Sequence, residues 1–159
     1  MNRHLVLFLT MLCFAANLRA QEMHIGTAIA DITPKLPVAL MGQFNLRIAD
    51  TIETPLTANV IALESRDGNR SLDEAIMVSC DVVEIPEMLL KMVRDEVRKI
   101  IPEIDSRKIF MTAIHTHTAP VLENGTQYSF RYQIPKKGVT QVEEYDNFFV
   151  QRVTDAIVK

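Results

Sequence analysis

Two histidines one residue apart, His115 and His117, are the side chains of this sequence best suited to chemistry. They lie in KIFMTAIHTHTAP (Lys108 to Pro120), directly after an apolar run, in a chain that has only four histidines among its 159 residues. Imidazole binds metal ions and moves protons near neutral pH. The pair therefore indicates either a metal or proton-transfer site, or two polar residues that cap the end of a strand.

The residues before this pair favour a site. The pattern predicts a strand over 74–80, a helix over 86–101 and a second strand over 108–114. Such units form parallel neighbouring strands through a right-handed crossover, so Asp81 and His115 should leave the sheet at the same edge, about 4.8 Å apart. Ligands of open α/β sheets bind at that edge. The alternative for Asp81 is to cap the turn that follows it.

The spacing of the two histidines also bears on a metal site. An extended backbone places residues two apart on the same side, so both imidazoles would face one cleft. Nitrogen ligands favour zinc over calcium or magnesium. A catalytic zinc takes three protein ligands, and two histidines with a candidate aspartate form at best an incomplete set.

The remaining elements predict the fold class. We expect an α/β fold with a mixed sheet of parallel and antiparallel strands and at least two packed helices. Strands are predicted over 23–34 and 54–65, a loop with a tight point at Gly42 over 36–53, and a hairpin turn at Asp67-Gly68. The last predicted helix, over 142–159, reaches the final residue without a stop signal. This pattern indicates a chain that is cut rather than finished.

Residues 1–20 have the pattern of a signal peptide: a short basic head, an apolar stretch and a plausible cleavage after Ala20. We therefore expect a secreted or periplasmic protein that begins at residue 21. Loss of Arg3 and Arg19 leaves 15 of the 17 basic residues against 20 acidic ones, a formal charge of −5, which argues against a nucleic-acid partner. No transmembrane segment is expected after signal removal, because no apolar run reaches about 18 residues.

Cysteine usage adds one constraint. Signal removal leaves Cys80 as the single cysteine, so the exported domain has no intramolecular disulfide. Cys80 lies in an apolar run, and we predict an inert buried thiol.

Four motifs follow one another along the chain: IGTAIADITP, LMGQF, IMVSCDVV and IFMTAIHTHTAP. Together they cover Ile25 to Pro120 and resemble the N-terminal part of the neutral/alkaline, non-lysosomal ceramidases. The resemblance implies a secreted or membrane-associated zinc amidohydrolase that cleaves the N-acyl bond of ceramide, giving sphingosine and a fatty acid.

The resemblance also implies roles for individual residues. His115 matches a zinc ligand, and His117 matches a histidine that contacts the substrate or the activated water. Asp81 matches a strand-end aspartate with a structural or supporting role. The family's further zinc ligands are a histidine, a glutamate and a tyrosine, expected downstream of Lys159, so the isolated chain should be inactive. Where the family has Ser-Gly-Pro-Gly after the second histidine, this chain has Thr118-Ala119-Pro120-Val121.

We therefore predict the N-terminal portion of a zinc-dependent amidohydrolase acting on a ceramide-like lipid amide, with one zinc ion, His115 as metal ligand and His117 as catalytic residue. Two alternatives stay open at this point. One is another metal-dependent amide or ester hydrolase on the same scaffold, which the altered motif after His117 allows. The other is a non-catalytic secreted domain or an inactive truncated fragment. The sequence leaves the oligomeric state and the true substrate open.

Overall fold

A computed structural model describes residues 21–122 and 132–159. The predicted signal peptide at 1–20 lies outside these residues, as do residues 123–131 of the polar stretch that follows the histidines. The main sheet has four strands in the order β1-β4-β5-β6. Their bounds are β1 Glu22–Asp31, β4 Thr57–Asp67, β5 Arg70–Cys80 and β6 Ile109–Ala113.

The sheet is mixed, as predicted. β4 pairs antiparallel with β1 and with β5, whereas β5 and β6 are parallel. The β4–β5 hairpin turns directly after Asp67, where Gly68 takes a φ of 59°. Only glycine adopts that conformation without a steric cost, so the Asp67-Gly68 prediction is confirmed.

A second, two-stranded sheet occupies the segment predicted as a loop. It consists of β2 (Val38–Leu40) and β3 (Arg47–Ala49), which pair antiparallel. Each strand has three residues, too few for an alternating pattern to be recognised. Gly42 follows β2 with a φ of 96°, so the predicted tight point is present.

Two helices cover one face of the main sheet. α1 (Glu87–Ile100) forms the crossover between β5 and β6, and α2 (Val142–Val158) packs against α1 and β1. On α1 the buried residues recur every four positions, at Leu89, Val93 and Val97, whereas the apolar Met88 and Ile100 are 41% and 54% exposed. The described part of the chain has no helix that combines the length and apolarity needed to cross a membrane.

The other face of the sheet is apolar and exposed. Because side chains alternate across a strand, each strand turns every second residue away from the helices. Ile61, Met77 and Phe110 lie side by side across β4, β5 and β6, and each is about half exposed. Three further exposed residues, Met23, Ile25 and Ile29, lie on β1. Parallel strand pairs are usually covered on both faces, whereas the helices described here cover only one.

Cys80, the last residue of β5, is fully buried, as predicted. Removal from water, with a smaller contribution from the charge of Asp81, raises the pKa of the thiol to about 12. The thiolate is the reactive form of cysteine, so the folded protein should protect this residue.

We predict that Cys80 does not react with a thiol reagent at about pH 8 in the folded state and reacts fully after unfolding in guanidinium. The measurement is the absorbance of the released chromophore, in a Cys13→Ser background so that only Cys80 is counted. Rapid labelling of the folded chain would contradict the burial described here.

Candidate active site

The candidate site lies where the parallel pairing of β5 and β6 continues past the ends of both strands. The backbone N–H of Ile114 donates to the carbonyl of Cys80 at 3.1 Å. The N–H groups of His115 and Thr116 both donate to the carbonyl of Val82, at 3.0 and 3.3 Å. These bonds hold the His-Thr-His segment beside residues 80–83, at the carboxyl edge of the sheet as predicted.

His115 is held by a main-chain carbonyl. Its Nδ1 lies 2.8 Å from the carbonyl oxygen of Val83. A carbonyl oxygen only accepts, so Nδ1 carries the proton and the neutral ring keeps its lone pair on Nε2. A metal-binding histidine is commonly held in this way, through a carbonyl that accepts from its other ring nitrogen.

The backbone of His115 differs from the extended conformation that we predicted. Its φ is 65°, in the left-handed region that non-glycine residues seldom occupy. Such a conformation costs of the order of 1–3 kcal/mol and persists only where the surroundings impose it. Here the two hydrogen bonds to Val82 and the ring contact with Val83 supply that constraint.

The two imidazoles nevertheless meet. Nε2 of His117 lies 3.3 Å from Nε2 of His115. The ring centroids are 5.0 Å apart and the planes cross at 68°, an edge-on arrangement. The structure thus brings together the two residues predicted to share a site, with one nitrogen of each ring directed at the other.

A turn after β2 supports the ring of His117. A Cβ placed on Gly42 would lie 2.5 Å from Cγ of His117, so only glycine leaves room for the imidazole. Nε2 of Gln43 lies 3.4 Å from Nδ1 of the same ring. Sequence reasoning identified Gly42 as a tight point but missed Gln43, since a single glutamine in a segment without periodicity carries no distinguishing pattern.

Two more residues anchor this turn and the histidine backbone. The buried Tyr132 donates its hydroxyl hydrogen to the carbonyl of Gln43 at 2.6 Å and accepts from the N–H of Gly42 at 3.2 Å. The guanidinium of Arg47 donates to the carbonyl oxygens of Met41 and His117. Sequence reasoning missed both residues, because they act on main-chain atoms remote in sequence.

Asp81 has a different set of contacts. Its Oδ2 accepts from the N–H of Thr57 at 2.7 Å and from the hydroxyl of Thr57 at 2.9 Å. The carboxylate therefore fastens the start of β4 to the end of β5. The group that orients the ring of His115 is the Val83 carbonyl, and a supporting role for Asp81 in the site stays a prediction.

Zinc fits the chemistry of His115 in part. Nε2 of His115 has the lone pair that a metal ion requires, and its ring is oriented as in metal-binding histidines. In the described ranges, 21–122 and 132–159, no group of three or more His, Cys, Asp or Glu side chains is placed to hold a metal ion. His115 could therefore contribute one ligand to a metal ion, and the further ligands would have to come from outside the described residues.

A cavity of about 250 Å³ opens next to the loop that follows the histidines. Thr118 and Pro120 form one wall, and the other lining residues come from 33–36, from the β2–β3 hairpin and from 51–56. Thr118 directly follows His117. The cavity is slightly smaller than usual small-molecule pockets, so it suits one part of a ligand.

We predict that Gly42→Ala displaces the ring of His117. The new Cβ would overlap Cγ, and the left-handed backbone adds strain, so the variant should lose about 2–4 kcal/mol of unfolding free energy. Chemical denaturation and the NMR signals of the His117 ring measure both effects.

Gly138→Ala is the matched control. Gly138 has a φ of 74°, yet no heavy atom lies within 4 Å of the position its Cβ would take. It should therefore show only the backbone strain, about 1–2 kcal/mol, with the His117 signals unchanged. Equal losses in the two variants would show that the space at Gly42 is unimportant.

Comparison with known proteins shows which solved structures share this fold. No protein-family profile and no curated protein sequence matches the chain. The neutral ceramidase from Pseudomonas aeruginosa superimposes with a TM-score of 0.70 at 20% identity, over 87% of this chain and 21% of the ceramidase. A ceramidase complexed with C2 gives a TM-score of 0.68 at 20% identity, over 86% of this chain and 20% of that one. The chain thus has a ceramidase-like fold and spans about a fifth of the length of these proteins.

Proposed function

We propose that this chain is the N-terminal part of an exported, zinc-dependent amidohydrolase that hydrolyses the N-acyl amide bond of ceramide-like lipids. The observation that carries the proposal is the pair of facing imidazoles at the sheet edge, with His115 held by Val83 so that its Nε2 is available. The ceramidase-like fold supports it. The cavity beside Thr118 offers room for part of a substrate.

The proposal assigns different work to each histidine. His115 would hold zinc through Nε2, together with ligands outside the described residues. When bound, zinc supplies Lewis acidity, which polarises a carbonyl group and lowers the pKa of a bound water to about 7. His117 would donate a hydrogen bond from Nε2 to the amide oxygen as negative charge develops there, or carry a proton between reacting groups.

The first test is metal content. We expect the product of the complete reading frame to bind one zinc ion and His115→Ala to abolish that binding. The matched control is His24→Ala, because His24 is exposed on β1 and its ring nitrogen lies 3.3 Å from Glu22, not at the two facing imidazoles. Mass spectrometry under native conditions measures the metal. A complete, folded protein without zinc would refute the amidohydrolase proposal.

The second test is turnover. We expect the zinc-loaded complete protein to hydrolyse a fluorescent ceramide faster than a short-chain N-acyl amide. His117→Ala should keep the zinc and lower kcat by roughly 10²-fold, the usual loss when a proton carrier or an oxyanion donor is removed. Hydrolysis of the short amide alone would point to another amidohydrolase on this scaffold. An unchanged kcat in His117→Ala would remove this residue from the chemistry.

A further inference from the structure

The hydrogen-bonding capacities around the two imidazoles determine which nitrogens carry protons. The starting point is Val83, whose carbonyl oxygen can only accept. Since it lies 2.8 Å from Nδ1 of His115, that nitrogen is protonated and Nε2 of the neutral ring is not. Nε2 of His115 is therefore an acceptor.

This acceptor favours one tautomer of the second ring. Nε2 of His117 lies 3.3 Å from Nε2 of His115, and two bare nitrogens at that distance would repel each other. The contact is favourable when Nε2 of His117 carries the proton and donates it to His115. In the neutral ring, Nδ1 of His117 is then the acceptor.

Gln43 completes this series of hydrogen bonds. The carboxamide of glutamine can donate through nitrogen or accept through oxygen, and the two ends are assigned from their surroundings. Its neighbour here, Nδ1 of His117, needs a donor, which is the amide NH2 group placed 3.4 Å away. The backbone of Gln43 is held in turn by the buried hydroxyl of Tyr132.

We propose that Gln43 is a positioning residue for His117: its side-chain amide donates to Nδ1 and so keeps the proton of the neutral ring on Nε2, facing His115. This inference rests on the proposed function, because a proton on Nε2 is what His117 needs in order to donate to a substrate oxygen. It also implies that metal at Nε2 of His115 would release the Nε2 proton of His117 for another acceptor.

The test is the tautomeric state of the histidines in the metal-free 159-residue chain. In ¹⁵N-labelled protein at about pH 9, above the range in which imidazole normally titrates, protonated and bare ring nitrogens resonate in separate ranges. We expect a protonated Nε2 on His117 and a protonated Nδ1 on His115. A protonated Nδ1 on His117 in the wild type would overturn the proposal.

Two substitutions test whether the side chain of Gln43 determines the tautomer of His117. In Gln43→Glu the carboxylate can only accept, so the proton of His117 should move to Nδ1 and the protonated Nε2 signal should be lost. Gln43→Met keeps the length of the side chain but offers no donor, so the Nδ1-protonated form should increase from the wild-type level. Unchanged ring signals in both variants would overturn the proposal.

Gln151→Glu and Gln151→Met are the matched controls, because Gln151 is exposed on α2. The ring nitrogens of the two histidines have other partners, namely Val83, Gln43 and each other. They should leave both histidine spectra unchanged, and circular dichroism checks that every variant is folded. The readout needs no metal and no turnover. A wild-type protein with the expected tautomers but without zinc when complete would refute the proposed function and leave the role of Gln43 standing.

Discussion

The parallel pairing of β5 with β6 is the constraint on which the candidate site depends. It sets Cys80 beside Ala113, and three further backbone hydrogen bonds extend the alignment beyond both strands. A one-residue slip would move every side chain of β6 to the opposite face, so the buried Ile109 would turn outward. Burial of the β6 side chains therefore holds the register, and the register determines which carbonyl His115 meets.

The sequence predicts the fold well where local patterns are long. The β4–β5 hairpin follows from alternating residues on both sides of Asp67-Gly68, and the crossover follows from an apolar helix between two apolar strands. The strands β2 and β3 were not predicted, because a strand of three residues is too short to show an alternation of apolar and polar residues. They matter nonetheless, since the turn between them contacts the ring of His117 through Gly42 and Gln43.

The position of the two histidines was predictable, but their contacts were not. Two histidines after a strand indicate the sheet edge, and the structure brings both rings together there. Residue types offer Asp81 as a supporting residue of the site, since carboxylates are visible in a sequence. The partner observed is the carbonyl of Val83, a group that every residue possesses. The left-handed backbone conformation of His115 could not be predicted from the sequence either, because tertiary hydrogen bonds impose it on a residue that does not prefer it.

These main-chain contacts also explain how two identical side chains present opposite hydrogen-bonding groups to each other. Imidazole has one donor and one acceptor when neutral, so each ring takes its polarity from its strongest neighbour. The acceptor Val83 makes His115 a base at Nε2, and that base in turn favours a donor at Nε2 of His117. A hydrogen-bond acceptor and a hydrogen-bond donor can thus arise from a His-Thr-His repeat without any difference between the two histidines themselves. The difference lies in main-chain atoms, which the β5–β6 register positions and which residue types alone do not reveal.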